Sequence, residues 1–209
     1  MLLNDNIELM ELKNIIFDFG GVLIDWDPVY LYSKIFNDER EMNYFLENVC
    51  RYDWNIQQDA GRPLAEATSL LQEEFPHYTK QIGYYYDRWE EMLGGTIDEN
   101  VKLIKPLKNK YNVYGLTNWS AETLPIAIEM YDFFNDLDGI VVSGEEKLIK
   151  PNREIYHVLI NRFGVVAEES LFIDDNADNI NTANEIGFKT IHYTNNLNLA
   201  ELLRSKKIL

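Results

Sequence analysis

Four short stretches hold the residues with chemical potential. They are Asp18 in "FDFGGVLIDWDP", Thr117 and Asn118 in "GLTNWS", Lys150 in "KLIKPN", and Asp174 with Asp175 in "FIDDNADN". Three carboxylates held together repel one another unless a cation joins them, and hard oxygen donors that leave positions for water suit Mg²⁺. A hydroxyl, an amide and an ammonium beside such a cation are groups that hold and neutralise a phosphate. A carboxylate is also a competent covalent nucleophile, forming an aspartyl-phosphate that water later hydrolyses. Gly20 and Gly21, which follow Asp18, let main chain approach a metal or phosphate with no Cβ in the way. Taken singly, each residue has an ordinary role: an Asp or Thr-Asn at a strand end caps a helix or forms a turn, and a Lys is solvated. The chemistry therefore depends on a fold that brings them to one rim.

The elements expected to do this alternate along the chain. The apolar runs in "NIIFDFGG", "YNVYGLTNWS", "GIVVSGEEKLIKP" and "SLFIDDNAD" each lead towards a helical stretch, and "KTIHY" leads to a last helix, "LNLAELLRSKK". Strands alternating with helices predict an α/β fold, a three-layer Rossmann-like core around a parallel sheet. In such sheets ligands bind beyond the carboxyl ends of the strands, where all four sets of polar residues fall. Gly164 and Gly187 mark helix ends. Residues from about 25 to 97 break this rhythm and read as successive Trp- and Tyr-rich helices, separated by the loop "NIQQDAGRP" and by "GGT" at 94–96. The expected organisation is a core of residues 1–23 and 99–209 with a helical cap inserted at 24–98. Of the three tyrosines at 84–86, two are expected in helix packing and one at the surface.

The chain has 209 residues, a formal charge of −16 and a pI near 4.5. That balance disfavours nucleic acid and anionic membrane surfaces as partners, so an anionic ligand needs a local positive pocket or a metal. Cys50 is the only cysteine, which rules out an intrachain disulfide. The opening "MLLNDNIELM" does not read as a secretory signal, and no apolar run approaches the ~18 residues of a membrane span. The expectation is a soluble cytoplasmic protein, monomer or weak dimer, acting on a small phosphorylated metabolite.

The order "FDFGGVL", "LTN", "KP" within "GEEKLIKPNREIY", and "FIDDNADNI" resembles the four motifs of the haloacid dehalogenase-like hydrolase superfamily, in its helical-cap subfamily. It is most similar to the branch that includes glucose-1-phosphate phosphatases. The resemblance implies that Asp18 is the nucleophile and a metal ligand. It further implies that the Gly20 carbonyl, Asp174 and Asp175 complete the Mg²⁺ site, with Asp175 the favoured direct ligand. Thr117, Asn118 and Lys150 would bind phosphate, while Lys147 lacks the following proline and reads as a surface residue.

One position departs from the family pattern. Phosphatases of the family carry a second Asp two residues after the nucleophile, as general acid and base, and here that position is Gly20. Three readings follow. The first is a phosphatase in which water or another group handles the proton; Asp25 or Asp27 could fold back to do so, although capping is the simpler role for each. The second is a metal-independent 2-haloacid dehalogenase, disfavoured by the intact Asp174-Asp175 pair and by the lack of any Lys or Arg between Asp18 and Lys34. The third is a non-catalytic module that binds phosphate or a partner. Cap residues expected to face the site are Trp26, Arg51, Trp54, Gln57, Gln58 and Arg62, each of which also has an ordinary packing or surface reading. His77, His157 and His192 are expected to lie away from the rim.

Overall fold

Every residue of Asn14–Phe17 is buried, as a strand flanked on both sides and covered on both faces must be. In the computed structural model, which describes residues 11–209, this strand, β1, is the middle of a five-stranded parallel sheet. The opening "MLLNDNIELM", read above for the absence of a signal, lies outside the described residues. After β1 come β2 (Ile24–Trp26) and helices α1 (Val29–Tyr32), α2 (Glu39–Asn48), α3 (Tyr52–Asp59), α4 (Leu64–Glu74) and α5 (Thr79–Asp87). Strand β3 (Leu93–Thr96), helices α6 (Asp98–Val101) and α7 (Ile104–Lys108), and β4 (Asn112–Thr117) follow. The remainder runs α8 (Leu124–Met130), β5 (Gly139–Val142), α9 (Ser143–Glu146), α10 (Arg153–Phe163), β6 (Ser170–Asp174), α11 (Ala177–Ile186), β7 (Lys189–His192) and α12 (Leu199–Ser205).

The sheet order is β5-β4-β1-β6-β7, the Rossmann-like α/β arrangement expected from the alternating pattern. Register does the positioning. Phe17 pairs with Gly115 on β4 and with Ile173 on β6, so the next residue, Asp18, comes level with Asp174. Helix ends obey the glycine rule: α10 stops at Gly164 and α11 at Gly187, both in the left-handed region that a Cβ disfavours. Asn176 starts α11, its side chain accepting the N–H groups of Asp178 and Asn179.

Two features of residues 24–98 differ from expectation. Ile24–Trp26 and Leu93–Thr96 pair as an antiparallel ribbon, so "GGT" is a strand and not a spacer. Three- and four-residue strands, one containing two glycines, show neither period nor propensity from which to be read. Tyr52–Asp59 is a helix, so the expected loop "NIQQDAGRP" is helical through its first five residues. Its inner face is Trp54 and Gln58, and a buried glutamine hides the apolar period. The tyrosine triplet follows the expectation: Tyr85 and Tyr86 pack on Trp54, while Tyr84 lies under Lys80 and Arg88. No helix among the described residues is long and apolar enough to cross a membrane.

The core and the loop after β1 meet at Phe19. Its fully buried ring stands edge-on to Trp119, Phe133 and Phe134 and occupies the space beside Gly115, where a Cβ would lie 2.2 Å from it. Phe19→Ala is therefore expected to lower stability by about 3–5 kcal/mol. A chemical denaturation midpoint close to that of the wild type would refute this packing role.

Candidate active site

Asp18 stands one residue beyond β1, its N–H still donating to the Ile173 carbonyl at 2.9 Å. The chain then turns tightly: the N–H groups of Val22, Leu23 and Ile24 all donate to the Phe19 carbonyl. Gly21 takes φ +70°, and a Cβ there would lie 2.3 Å from Asp175 Oδ2. Glycine is required twice over at that position, by conformation and by the carboxylate pressed against it. At Gly20 a Cβ would meet nothing within 4 Å, so the missing side chain leaves open space. The Gly20 carbonyl accepts no main-chain hydrogen bond among the described residues.

Lys150, almost fully buried, ties the rim together. Its Nζ lies 2.9 Å from Asp18 Oδ1, 2.7 Å from Asp174 Oδ2 and 2.9 Å from the Leu116 carbonyl, so all three of its protons are engaged. Asn118 holds the Lys150 main chain at two points, accepting from its N–H at 2.8 Å and donating to its carbonyl at 2.9 Å. Both ends of the Asn118 side chain are thus engaged with Lys150, a positioning task not foreseen from its place in "LTN". Asp174 also accepts from Asn179 Nδ2 and from the Asn176 N–H. Asp175 is more exposed, and its carbonyl lies 2.8 Å from His192 Nε2. His192 ends β7 beside Asp174, which corrects its expected place away from the rim; His77 and His157 are exposed on other elements.

One carboxylate oxygen from each of Asp18, Asp174 and Asp175 lies within 4.8 Å of the other two. Burial pushes the Asp18 carboxyl up to about 8; Lys150 opposes this and Asp174 adds to it. Burial and then Asp174 likewise raise Asp175. Burial alone would lower the Lys150 ammonium, but the two carboxylates outweigh it and its pKa ends above the ordinary value. One ammonium thus leaves the trio overcharged, which is what a divalent cation corrects. Thr117 Oγ1 is the one buried side-chain polar atom without a hydrogen-bond partner among the described residues. An orphaned buried hydroxyl at the end of β4 marks where a ligand oxygen fits. An oxygen-only donor set with a neighbouring orphan hydroxyl fits Mg²⁺ and phosphate.

The rim opens into a cavity of about 400 Å³. Its floor includes Asp18, Gly20, Asn118, Lys150 and Asp175, and its walls include Trp26, Trp89, Trp119 and Tyr52. Of the six cap residues singled out from sequence, Trp26 alone lines it. Arg51 pairs with Asp53, Trp54 packs in the interior, and Gln57 and Gln58 hold the Arg62 guanidinium. Asp27 caps α1 through the Val29 N–H and Asp25 accepts from the Tyr30 hydroxyl, so neither folds back over the site. Lys147 is exposed, as expected. Among the residues missed are Tyr52, Asn55 and Asp59, which also line the cavity. They fall at i, i+3 and i+7, one face of α3, and reading 52–59 as a helix would have revealed them.

A family model described as haloacid dehalogenase-like hydrolase matches residues 12–187. The D-ribitol-5-phosphate phosphatase of Bacteroides thetaiotaomicron is 28% identical over 211 residues, covering 88% of this chain and 93% of that protein. A HAD-like family hydrolase of Porphyromonas gingivalis superposes with a TM-score of 0.70 at 26% identity, over 94% of this chain and 98% of the other. A HAD family enzyme of Bacteroides thetaiotaomicron, solved with magnesium and inorganic phosphate, shares the fold at a TM-score of 0.72 and 24% identity, over 92% and 100% of the two chains.

The carboxylate trio has a consequence for stability without metal. Between pH 3.8, the ordinary value, and about 8, folded Asp18 keeps a proton that the unfolded chain has released. The unfolded state then binds fewer protons, so stability must fall as pH rises across that window. In chelator, melting temperatures of Asp18→Asn are expected to fall less steeply over the window than those of the wild type. Parallel slopes would show that Asp18 ionises freely in the fold.

Proposed function

We propose that this chain, which belongs to the haloacid dehalogenase-like hydrolase family, is a Mg²⁺-dependent phosphatase of a small phosphomonoester that works through an aspartyl-phosphate on Asp18. The observation that carries this reading is the mutual approach of Asp18, Asp174 and Asp175 within 4.8 Å, with Lys150 bridging two of them. Mg²⁺ held by Asp18, Asp175, the Gly20 carbonyl and Asp174, the last directly or through water, would neutralise the phosphoryl oxygens and fix the phosphorus in line with Asp18. Asp174 is already engaged by Lys150, Asn179 and Asn176, so Asp175 has the freer carboxylate for direct ligation.

The protein's own groups do the rest. Asp18, pointed by the Phe19 N–H on its Oδ1 at 2.7 Å, attacks phosphorus as the nucleophile. Thr117 Oγ1 donates to a phosphoryl oxygen and thereby gains the partner it lacks. Lys150 supplies a fixed positive charge beside the charge that develops in transfer, and Asn118 keeps it there. Water then displaces Asp18 from phosphorus and releases inorganic phosphate. A lining that combines three tryptophans with Asn55 and Asp59 suits a ring or polyol bearing the phosphate, and the D-ribitol-5-phosphate phosphatase relative supports sugar and polyol phosphates as the first substrates to try. Against the dehalogenase reading, Lys150 is the one cationic side chain among the described residues lining the cavity, and it is bound to carboxylates.

Phosphate release from ribitol 5-phosphate, glucose 1-phosphate and p-nitrophenyl phosphate, with Mg²⁺ and with excess chelator, tests this directly. Turnover should vanish in chelator and return with Mg²⁺, and Asp18→Asn should abolish it while keeping a cooperative thermal transition. Chloride release from 2-chloropropionate in chelator would replace the phosphatase with a dehalogenase. Inactivity in both assays would leave a binding module.

A further inference from the structure

A carboxylate from the helical segment shares the cavity with Gly20, the position that carries no carboxylate of its own. Asp59 ends α3 and lines the same cavity as Asp18 and Gly20. No cation pairs with it among the described residues. Its contacts are Asn55 Nδ2 at 3.4 Å and the main-chain N–H of Ser120, three residues past Thr117. Tyr52, on the same helix face, lines the cavity as well and feels the charges of Asp59 and of Asp18, Lys150 and Asp175, so one ring senses both Asp59 and the rim. Asp25 and Asp27, the other acids near the site, are engaged elsewhere.

We propose that Asp59 is the proton donor and acceptor of the reaction, a reading that rests on the phosphatase function above. As a carboxylic acid it protonates the leaving oxygen while an Asp18 oxygen bonds to phosphorus and the phosphorus–oxygen bond of the ester breaks. As a carboxylate it then takes a proton from the water that attacks phosphorus, which frees Asp18 and inorganic phosphate and restores the acid. Burial, opposed by the Ser120 hydrogen bond, pushes the Asp59 carboxyl up to about 7, the range in which one group both gives and takes a proton near neutrality. The titratable groups facing it are phenols, Tyr52 from its own helix and Tyr85 and Tyr86 from α5. Arg62 is held by Gln57, Gln58 and the Trp54 carbonyl. From the α9 side come exposed Glu145 and Lys147 and Glu146, which is paired with Arg162, and Glu122 is bound to the Leu64 N–H.

A matched pair of substrates tests the assignment: p-nitrophenyl phosphate, whose leaving group departs without a proton, and 4-nitrobenzyl phosphate, which is similar in size but leaves as an alcohol. The readout is kcat/KM with Mg²⁺, because it reports only the steps up to departure of the leaving group. Asp59→Asn should lose on the order of 10²-fold on the benzyl ester and less than about threefold on the aryl ester. Adding Gly20→Asp, for which there is room, should restore part of the benzyl activity. Equal losses on both esters, or a change confined to KM, would overturn the proposal. In the wild type the benzyl ester should lose kcat/KM above pH 7 relative to the aryl ester, since an acid must be protonated to act. Coincident profiles would overturn it even if the variant failed to fold, because any limb owed to Asp18 is common to both esters. A wild type that cleaves neither ester would remove the phosphatase reading first, and this proposal with it.

Discussion

Crowding negative charge at the end of a sheet is the constraint on which the rest of this structure depends. Two like charges 4 Å apart repel by about 4 kcal/mol in a protein-like dielectric, and three carboxylates multiply that cost. The fold meets it by burying one ammonium between Asp18 and Asp174 and fixing it at both ends. Leu116 takes the third Nζ proton, and Asn118 holds the Lys150 main chain on both its N–H and its carbonyl. Even so, one ammonium does not let all three acids ionise at their ordinary values: burial and the neighbouring Asp174 hold Asp18 and Asp175 above them. A divalent cation would relieve that strain, and the oxygen-only donor set suits one.

Around this charged centre the packing is mainly aromatic. Phe19, Trp119 and Trp89 form a chain of ring contacts from beneath the Asp18 loop to the cavity wall. Such rings exclude water at little conformational cost, which strengthens every polar interaction on the floor. The helical segment adds α3, whose two faces are divided in function: Trp54 and Gln58 pack inward, while Tyr52, Asn55 and Asp59 look into the cavity. The charged floor and the α3 wall of the cavity are thus supplied by separate stretches of chain.

How much of this could be read beforehand follows from the physics of each part. The parallel sheet was legible because its strands are continuous apolar runs ending in polar residues, and the rim was legible because strand ends in such sheets converge. Asp18, Asp174 and Lys150 announced themselves by type and place. Asn118 was visible, but its service to the Lys150 main chain was not, because that contact spans 32 residues of sequence and depends on tertiary placement. The α3 face was illegible for a different reason: its interior includes a glutamine hydrogen-bonded to Tyr86, and no hydropathy period records a polar group satisfied in the core. His192 was misplaced because lack of metal-ligand spacing says nothing about which strand end a residue occupies.

The small ribbon of β2 and β3 has a meaning beyond its size. It sets the two ends of the helical segment side by side, so that to the five-stranded sheet everything from Asp27 to Met92 is the loop of a single hairpin. Loop closure grows only logarithmically with length, at about 0.6 kcal/mol per doubling. In closure entropy the sheet is therefore nearly indifferent to the length of the hairpin, although its packing is not, since Trp89 and Trp119 join the two in ring contact. A change of length inside the hairpin does not by itself enter the strand register that aligns Asp18 with Asp174. One pair of short strands thus lets a whole cavity wall be hung from the sheet through two adjacent points.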